Sequence, residues 1–191
     1  MFIPIRTDRR QQRTPWVTYG LLGLNVAIFL ATARGGVGAV EAGLLVPTAP
    51  KWWQFVSYAF LHADIFHLGG NMLFLYVFGR PLEDRFRHVG FLAFYLAAGV
   101  LAGLGHCLTD SAPVLGASGA VAGVTGAFLA LFPLSRITVV YWFIFVGAFE
   151  IAGLYLIVLQ IFMNLFGLAG GGAGVAYTAH LAGYAVGFLV G

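Results

Sequence analysis

The segment 16–33 decides the class of fold, and its sequence is WVTYGLLGLNVAIFLATA. It contains no charged residue, and an apolar stretch of about 18 or more residues is long enough to cross a bilayer as a helix. In hydrocarbon the backbone must satisfy its own hydrogen bonds, and a helix does so within one segment. The segment therefore predicts a first transmembrane helix.

The composition of the whole chain extends this prediction beyond the first segment. Of the 191 residues, 60% are hydrophobic and only 9% are Asp, Glu, Lys or Arg, whereas soluble domains carry about 25% charged residues. Because so few charges cannot cover a water-exposed surface, we expect lipid to surround most of the chain. The single cysteine, Cys107, excludes disulfides and thiolate metal cages.

Five further apolar stretches of about spanning length follow the first. They lie at 66–82, 89–108, 115–134, 150–168 and 176–191. The segment 137–148 is expected to lie along the membrane interface. The predicted fold class is therefore all-α, a polytopic bundle of six transmembrane helices, in which residues 16–191 form the membrane-embedded domain and residues 1–15 a basic cytoplasmic tail.

The basic residues predict the orientation. Six spans place both termini on one side of the membrane, and only Arg34 and Lys51 of the ten Lys and Arg residues then fall on the other side. Because cytoplasmic loops are enriched in Lys and Arg, we expect a multi-pass protein of the cell membrane with a cytoplasmic N-terminus. No cleavable signal peptide is visible. The arginines flank apolar spans rather than form one basic surface, which argues against a nucleic-acid partner.

Polar residues inside predicted spans are costly and each needs an explanation. The sequence Gly116-Ala117-Ser118-Gly119 opens the fourth span. There the unpaired N–H groups and the dipole of the helix favour a developing negative charge. Taken alone, Ser118 is more often a helix cap or a packing serine, since small residues are common in membrane helices.

The sixth span contains His180, which needs a partner in an apolar helix. Glycines at helical spacing lie beside both His180 and Ser118, and such faces allow close approach of two backbones. This approach could bring the Ser118 hydroxyl within hydrogen-bond reach of a His180 nitrogen. The glycines assigned to this packing are Gly116, Gly119, Gly123, Gly183 and Gly187.

The second span begins with His62-x4-His67-x3-Asn71. His67 and Asn71 share a helical face, and both can donate hydrogen bonds, as an oxyanion hole requires. The alternative is a structural polar cluster between loop and helix, which His62 fits better because it lies off that face. The second, fourth and sixth spans all begin on the outer side, so the sequence predicts one water-accessible pocket near that surface.

The pocket receives no carboxylate from a span. Asp64 and Asp110 lie in connections, and Glu150 lies nearer the other membrane face, so we infer a Ser–His dyad rather than a triad. No H-E-x-x-H motif of an intramembrane zinc protease occurs, and no pair of aspartates lies within a span. The mechanism is expected to need neither a metal nor a cofactor.

Together these residues resemble the rhomboid family of intramembrane serine proteases. The resemblance covers residues 15–191. The matching pieces are His62-x4-His67-Leu68-x2-Asn71-Met72, Gly116-x-Ser118-Gly119, Ala179-His180-x2-Gly183-x3-Gly187 and, after the second span, Glu83-Asp84-Arg85. The resemblance implies cleavage of single-pass membrane proteins near the outer face of the lipid bilayer. It also implies Ser118 as nucleophile, His180 as base, and an oxyanion hole of His67, Asn71 and the Ser118 amide.

Two positions depart from the family pattern, and three other functions stay open. Many members have Trp-Arg in the first loop, where this chain has Trp53-Gln54, and some stack an aromatic ring on the histidine from the position held here by Ala122. The chain could instead be a noncatalytic relative that binds membrane helices, or a channel or transporter. It could also be a haem protein that uses His67, His106 or His180.

Overall fold

The computed structural model describes residues 2–35, 37–142, 145–170 and 175–191. It is mostly helical, with one small sheet. The helices are α1 (Trp16–Gly35), α2 (Val37–Glu41), α3 (Gln54–Ser57), α4 (Ile65–Phe74), α5 (Arg80–Thr109), α6 (Ser118–Leu131), α7 (Gly153–Ala169) and α8 (Tyr177–Val190). A 3-10 turn (Tyr58–Phe60) follows α3, and a π-helical turn (Leu75–Gly79) joins α4 to α5. The strands are β1 (Phe2–Thr7), β2 (Arg136–Trp142) and β3 (Val146–Ala152).

Among the described residues, two helical stretches are long and apolar enough to cross a membrane. They are α1, with 20 residues, and the 45-residue stretch Ile65–Thr109 that joins α4 and α5. The longer stretch is interrupted at Arg87, whose φ of 67° is outside the helical region. The charged segment between the predicted second and third spans is therefore not an extended loop, because helical backbone continues on both sides of this single residue.

Helices α6, α7 and α8 are shorter, with 14, 17 and 14 residues. A 14-residue helix is about 21 Å long, less than the roughly 30 Å hydrocarbon core of a bilayer. The observed helix α6 is therefore shorter than the predicted fourth span, 115–134. Because every residue of 119–129 is buried, other helices rather than lipid surround α6.

The sheet corrects the all-α prediction. Strand β2 pairs antiparallel with β1 on one side and with β3 on the other, so the described part of the predicted interfacial segment 137–148 forms strands of a sheet, and residues 143 and 144 lie outside the described residues. In β2 the buried residues alternate, with Ile137 and Val139 inside, as β-branched residues do in a half-buried strand. Pairing of β3 also delays the start of α7 to Gly153, three residues after the predicted start of the fifth span.

Close contacts between α6 and α8 fix the centre of the molecule. A methyl group added at Gly183 would overlap the backbone oxygen of Gly119, and one added at Gly187 would overlap that of Gly123. A methyl group at Gly123 would in turn lie 2.6 Å from Ala98 Cβ of α5. Since these positions admit only glycine, α8 packs backbone against backbone on α6 and α5 packs closely against α6, as small residues permit in membrane proteins.

Candidate active site

A cavity of about 1080 Å³ lies among α4, α6, α7 and α8. The four predicted site residues, which come from three helices, all line it. Its polar lining residues are Asp64, His67, Asn71, His106, Asp110, Ser118, Thr125, Gln160, Asn164, His180 and Tyr184. Helices α4 and α7 also contribute apolar lining residues, namely Phe74, Leu156, Leu159 and Met163. The cavity therefore has both polar and apolar lining.

Ser118 is the first residue of α6 and is half-buried. The preceding turn is held by Gly116, whose N–H donates to Tyr58 O at 2.9 Å and whose φ is 125°. A methyl group at Gly116 would lie 2.7 Å from His67 Cε1, so both the backbone angle and the neighbouring ring require glycine. The first N–H groups of α6 have no partner within the helix, which makes this end a site for an anion.

The hydroxyl of Ser118 makes no hydrogen bond within the described part of the chain. The sequence-based expectation of close approach between α6 and α8 is met by the backbones, but the structure does not pair Ser118 Oγ with His180. Catalytic hydrogen bonds are often long in a protein without substrate and shorten when substrate binds. The arrangement therefore presents a hydroxyl and an imidazole in one cavity with neither engaged by the other.

His180 is half-buried on α8, and its ring has a partner that the sequence interpretation missed. Nδ1 lies 2.8 Å from Oδ1 of Asn164 on α7. One turn away, Tyr184 donates its hydroxyl proton to Gln160 Oε1 at 3.3 Å. Two polar residues four positions apart in an apolar helix are the signal that could have identified this pair, because each is costly in lipid without a partner.

Asn71 and His67 lie on α4, facing the same cavity. Asn71 is buried, with 8% of its surface exposed, and its Nδ2 has no hydrogen-bond partner among the described residues. Such a buried unpaired donor is rare in a native protein. The start of α4 is fixed by Asp64, whose carboxylate accepts from the N–H groups of Phe66 and His67, both at 2.8 Å. The hydrogen bond from the His67 amide lowers the pKa of Asp64 and keeps it ionised.

His62 precedes α4 and packs edge-on against His67, with 5.2 Å between the ring centroids. Its two ring nitrogens are buried without a hydrogen bond of standard geometry among the described residues. Burial, and to a smaller extent the neighbouring His67, lower the pKa of His62 to about 4. His62 is therefore neutral at physiological pH and supports the position of the His67 ring.

His106 is also buried at the cavity wall, but both of its ring nitrogens are used. Nε2 donates to Ala112 O at 2.8 Å, so Nδ1 is the acceptor for the Thr178 hydroxyl at 3.0 Å. These two bonds connect the end of α5, the chain leading to α6, and the start of α8. Neither ring nitrogen of His106 is free to bind a haem iron, so His106 has a structural role here.

Comparison with known proteins identifies the family to which this chain is similar. The Rhomboid domain matches residues 49–191. Similar curated proteins include Rhomboid-like protein 11, chloroplastic, of Arabidopsis thaliana, 31% identical over 72% of this chain and 47% of its own length. Rhomboid protease GluP of Bacillus subtilis (strain 168) is 33% identical over 62% of this chain and 25% of its own length.

A third relative is Rhomboid protein 1, mitochondrial, of Saccharomyces cerevisiae, 30% identical over 92% of this chain and 52% of its own length. The chain thus spans from a quarter to about half of the length of these relatives. Since the Rhomboid domain covers most of the chain and includes all four site residues, this integral membrane protein belongs to the rhomboid family.

Proposed function

We propose that the chain is an intramembrane serine endopeptidase that cleaves transmembrane segments of single-pass membrane proteins near the outer membrane face. The observation that carries the proposal is the common cavity of Ser118, His180, His67 and Asn71. Among the relatives, Rhomboid protease GluP is itself named a protease. Because the family also has inactive members, the activity must be argued from the residues themselves.

The proposed reaction is acyl transfer by a Ser–His pair. Nε2 of His180 accepts the proton of the Ser118 hydroxyl as Oγ attacks the scissile carbonyl, and the imidazolium then protonates the leaving amine. In the second half of the reaction, His180 deprotonates a water that attacks the acyl-enzyme, and it then returns the proton to Ser118 Oγ as the acid product leaves. No cofactor enters this sequence of steps.

Three donors are proposed to bind the oxyanion that forms on the carbonyl oxygen. They are the Ser118 N–H, the His67 ring and Asn71 Nδ2. The unpaired state of Nδ2 supports this role, since a donor that is already placed and unoccupied needs no reorganisation when negative charge develops. In a low-dielectric cavity such donors stabilise the transition state far more than water does.

The proposed membrane topology has six spans, with residues 16–191 as the protease domain and the N-terminus in the cytoplasm of a multi-pass cell-membrane protein. Helices α6, α7 and α8 would supply the last three spans. The position of Ser118 at the beginning of a 14-residue, buried helix supports this arrangement. Such a short helix begins below the membrane surface, where a peptide bond of a transmembrane substrate and water can meet.

Substrate access is proposed between α4 and α7. Phe74 of α4 and Met163 of α7 line the cavity there, and the α7 residues Val158, Phe162 and Phe166 outside the cavity are exposed apolar side chains. An apolar opening toward lipid favours a substrate that arrives as a hydrophobic helix.

The proposal is tested by co-expressing the protein with a panel of tagged single-pass membrane proteins. Wild type should release fragments from at least one of them, and Ser118→Ala should release none at equal expression. A purely helix-binding protein would co-purify with the same partners in both forms without releasing fragments. Clear residual cleavage by Ser118→Ala contradicts the assignment.

A further inference from the structure

We infer that Asn164 is a positioning residue that holds His180 in the tautomer and orientation needed for proton transfer. This inference rests on the proposed function, and it adds a residue of α7 to a site otherwise built from α4, α6 and α8. The observation is the hydrogen bond of 2.8 Å between His180 Nδ1 and Asn164 Oδ1. No carboxylate among the described residues is hydrogen-bonded to this ring.

The orientation of the Asn164 amide is fixed by a second contact. Its Nδ2 donates to the backbone oxygen of Gln160 at 2.8 Å. Because that carbonyl can only accept, the amide nitrogen must face it, and Oδ1 must therefore face His180. An oxygen opposite Nδ1 requires Nδ1 to carry the proton. The neutral ring then has its lone pair on Nε2, which is the form a general base needs.

The same ring would be poorly defined without Asn164. Ala122 also lines the cavity, and it offers only a methyl group. The backbone contacts at Gly183 and Gly187 fix α8, but they leave the rotation of the His180 side chain free. A neutral hydrogen-bond acceptor on α7 therefore replaces the orienting carboxylate of a Ser-His-Asp triad.

A merely structural role is the alternative, because hydrogen bonds between helices also help membrane helices associate. The molecule supplies a matched control for it. Gln160 and Tyr184 form a second link between α7 and α8, one turn from the first. Removing this link weakens the same helix pair without touching His180.

The test measures the rate at which a fluorophosphonate labels Ser118 in purified wild type, Asn164→Leu, Asn164→Asp and Gln160→Leu. Leu matches Asn in size but has no acceptor, so labelling and kcat should fall roughly 10–100-fold, with KM little changed. This range is taken by analogy from metal-binding histidines, where removal of the hydrogen-bond partner behind the ring costs about 10–100-fold. Asn164→Asp keeps the acceptor oxygen and should stay within about 10-fold of wild type. Gln160→Leu should lose clearly less labelling than Asn164→Leu.

A spectroscopic measurement keeps the inference testable if Asn164→Leu folds poorly. In protein labelled with ¹⁵N-histidine, the His180 signals, assigned by their loss in His180→Ala, should report a proton on Nδ1 in wild type and in Gln160→Leu. A proton on Nε2 in wild type overturns the inference, as do equal losses of labelling in Asn164→Leu and Gln160→Leu. If wild type is not labelled at Ser118 at all, it is the proposed function that fails.

Discussion

Two polar clusters lie in this apolar protein, and they differ in how completely they are paired. We call the first the Glu83 cluster: the Glu83 carboxylate accepts from Val17 N at 2.9 Å, from Thr18 N and Thr18 Oγ1 at 2.7 Å, and from His88 Nδ1 at 2.5 Å. The second is the cavity, where the Asn71 donor is unpaired among the described residues and the Ser118 hydroxyl is not engaged.

This difference indicates that the Glu83 cluster contributes to stability, whereas the cavity contributes to reactivity. Glu83 is 1% exposed and caps the first turn of α1 from a different helix, which satisfies N–H groups that would otherwise be orphaned. A cluster so fully satisfied stabilises the fold. The cavity holds donors without acceptors, which contributes nothing to stability until a substrate carbonyl arrives. Variants in the two clusters should therefore fail in different ways.

The largest expected effect is in the cavity, on His180→Ala. Without the base, proteolysis should fall roughly 10⁴-fold or more, while the thermal unfolding midpoint in detergent should fall only by the few °C that loss of the hydrogen bond to Asn164 costs. The double variant Ser118→Ala/His180→Ala should be no slower than either single variant, because the two residues act as one unit. Additive losses in a reporter cleavage assay would contradict a shared step.

A smaller loss is expected for Asn71→Ala. Removal of one oxyanion donor costs roughly 10²–10³ in turnover, but it breaks no existing hydrogen bond of Nδ2, so the unfolding midpoint should not fall. Asn71→Asp is the control, since it keeps the shape but replaces the donor with an acceptor, and it should be at least as slow. Unchanged kcat in both variants would remove Asn71 from the oxyanion hole.

The opposite pattern is expected for Glu83→Gln. Weakening of charge-assisted hydrogen bonds to a buried carboxylate should cost about 2–3 kcal/mol of stability, or roughly 2–4 °C of unfolding midpoint per kcal/mol in a chain of this size. Activity per folded molecule should be unchanged. Glu150→Gln is the control, because its contact with Arg136 at 3.4 Å is exposed and should contribute little. Equal shifts in the two variants would refute the special role of the Glu83 cluster.

The smallest effect concerns pH and His62. Its pKa is lowered by burial to about 4 from an ordinary 6.5, so the unfolded chain takes up the proton first as pH falls. The stability contributed by neutral His62 is therefore complete above about pH 6.5 and is lost as pH falls toward 4. The unfolding midpoint of wild type should drop between pH 7 and pH 4.5 by a few °C more than that of His62→Gln. Parallel curves for the two proteins would exclude this contribution.

Much of the helical fold could be predicted because lipid imposes a simple rule on the sequence. Uninterrupted apolar stretches located α1 and the α4–α5 pair closely, since a helix satisfies its backbone hydrogen bonds within one segment in hydrocarbon. The same rule misled at β2, because an apolar run alone does not distinguish helix from strand. The alternation of β-branched residues from Ile137 was the available signal, but the partner strand β1 lies 129 or more residues away in the sequence.

The candidate site was predictable only where several motifs pointed to one depth. Ser118, His180, His67 and Asn71 follow from polar residues near the beginnings of alternate spans, and all four line one cavity. Asn164 was missed because it lies deep in α7, 16 residues before His180, and only the packing of α7 against α8 brings the two together. A sequence indicates that such a residue needs a partner, but it does not identify the partner.

The central claim is that the cavity activates one serine among the four in the chain, which are Ser57, Ser111, Ser118 and Ser135. The most direct measurement is fluorophosphonate labelling of the purified protein, with the modified residue located by mass spectrometry. We predict a label on Ser118 alone in wild type and in Glu83→Gln, and none in His180→Ala. A label of equal extent in His180→Ala, or a wild-type label on another serine, would contradict the account.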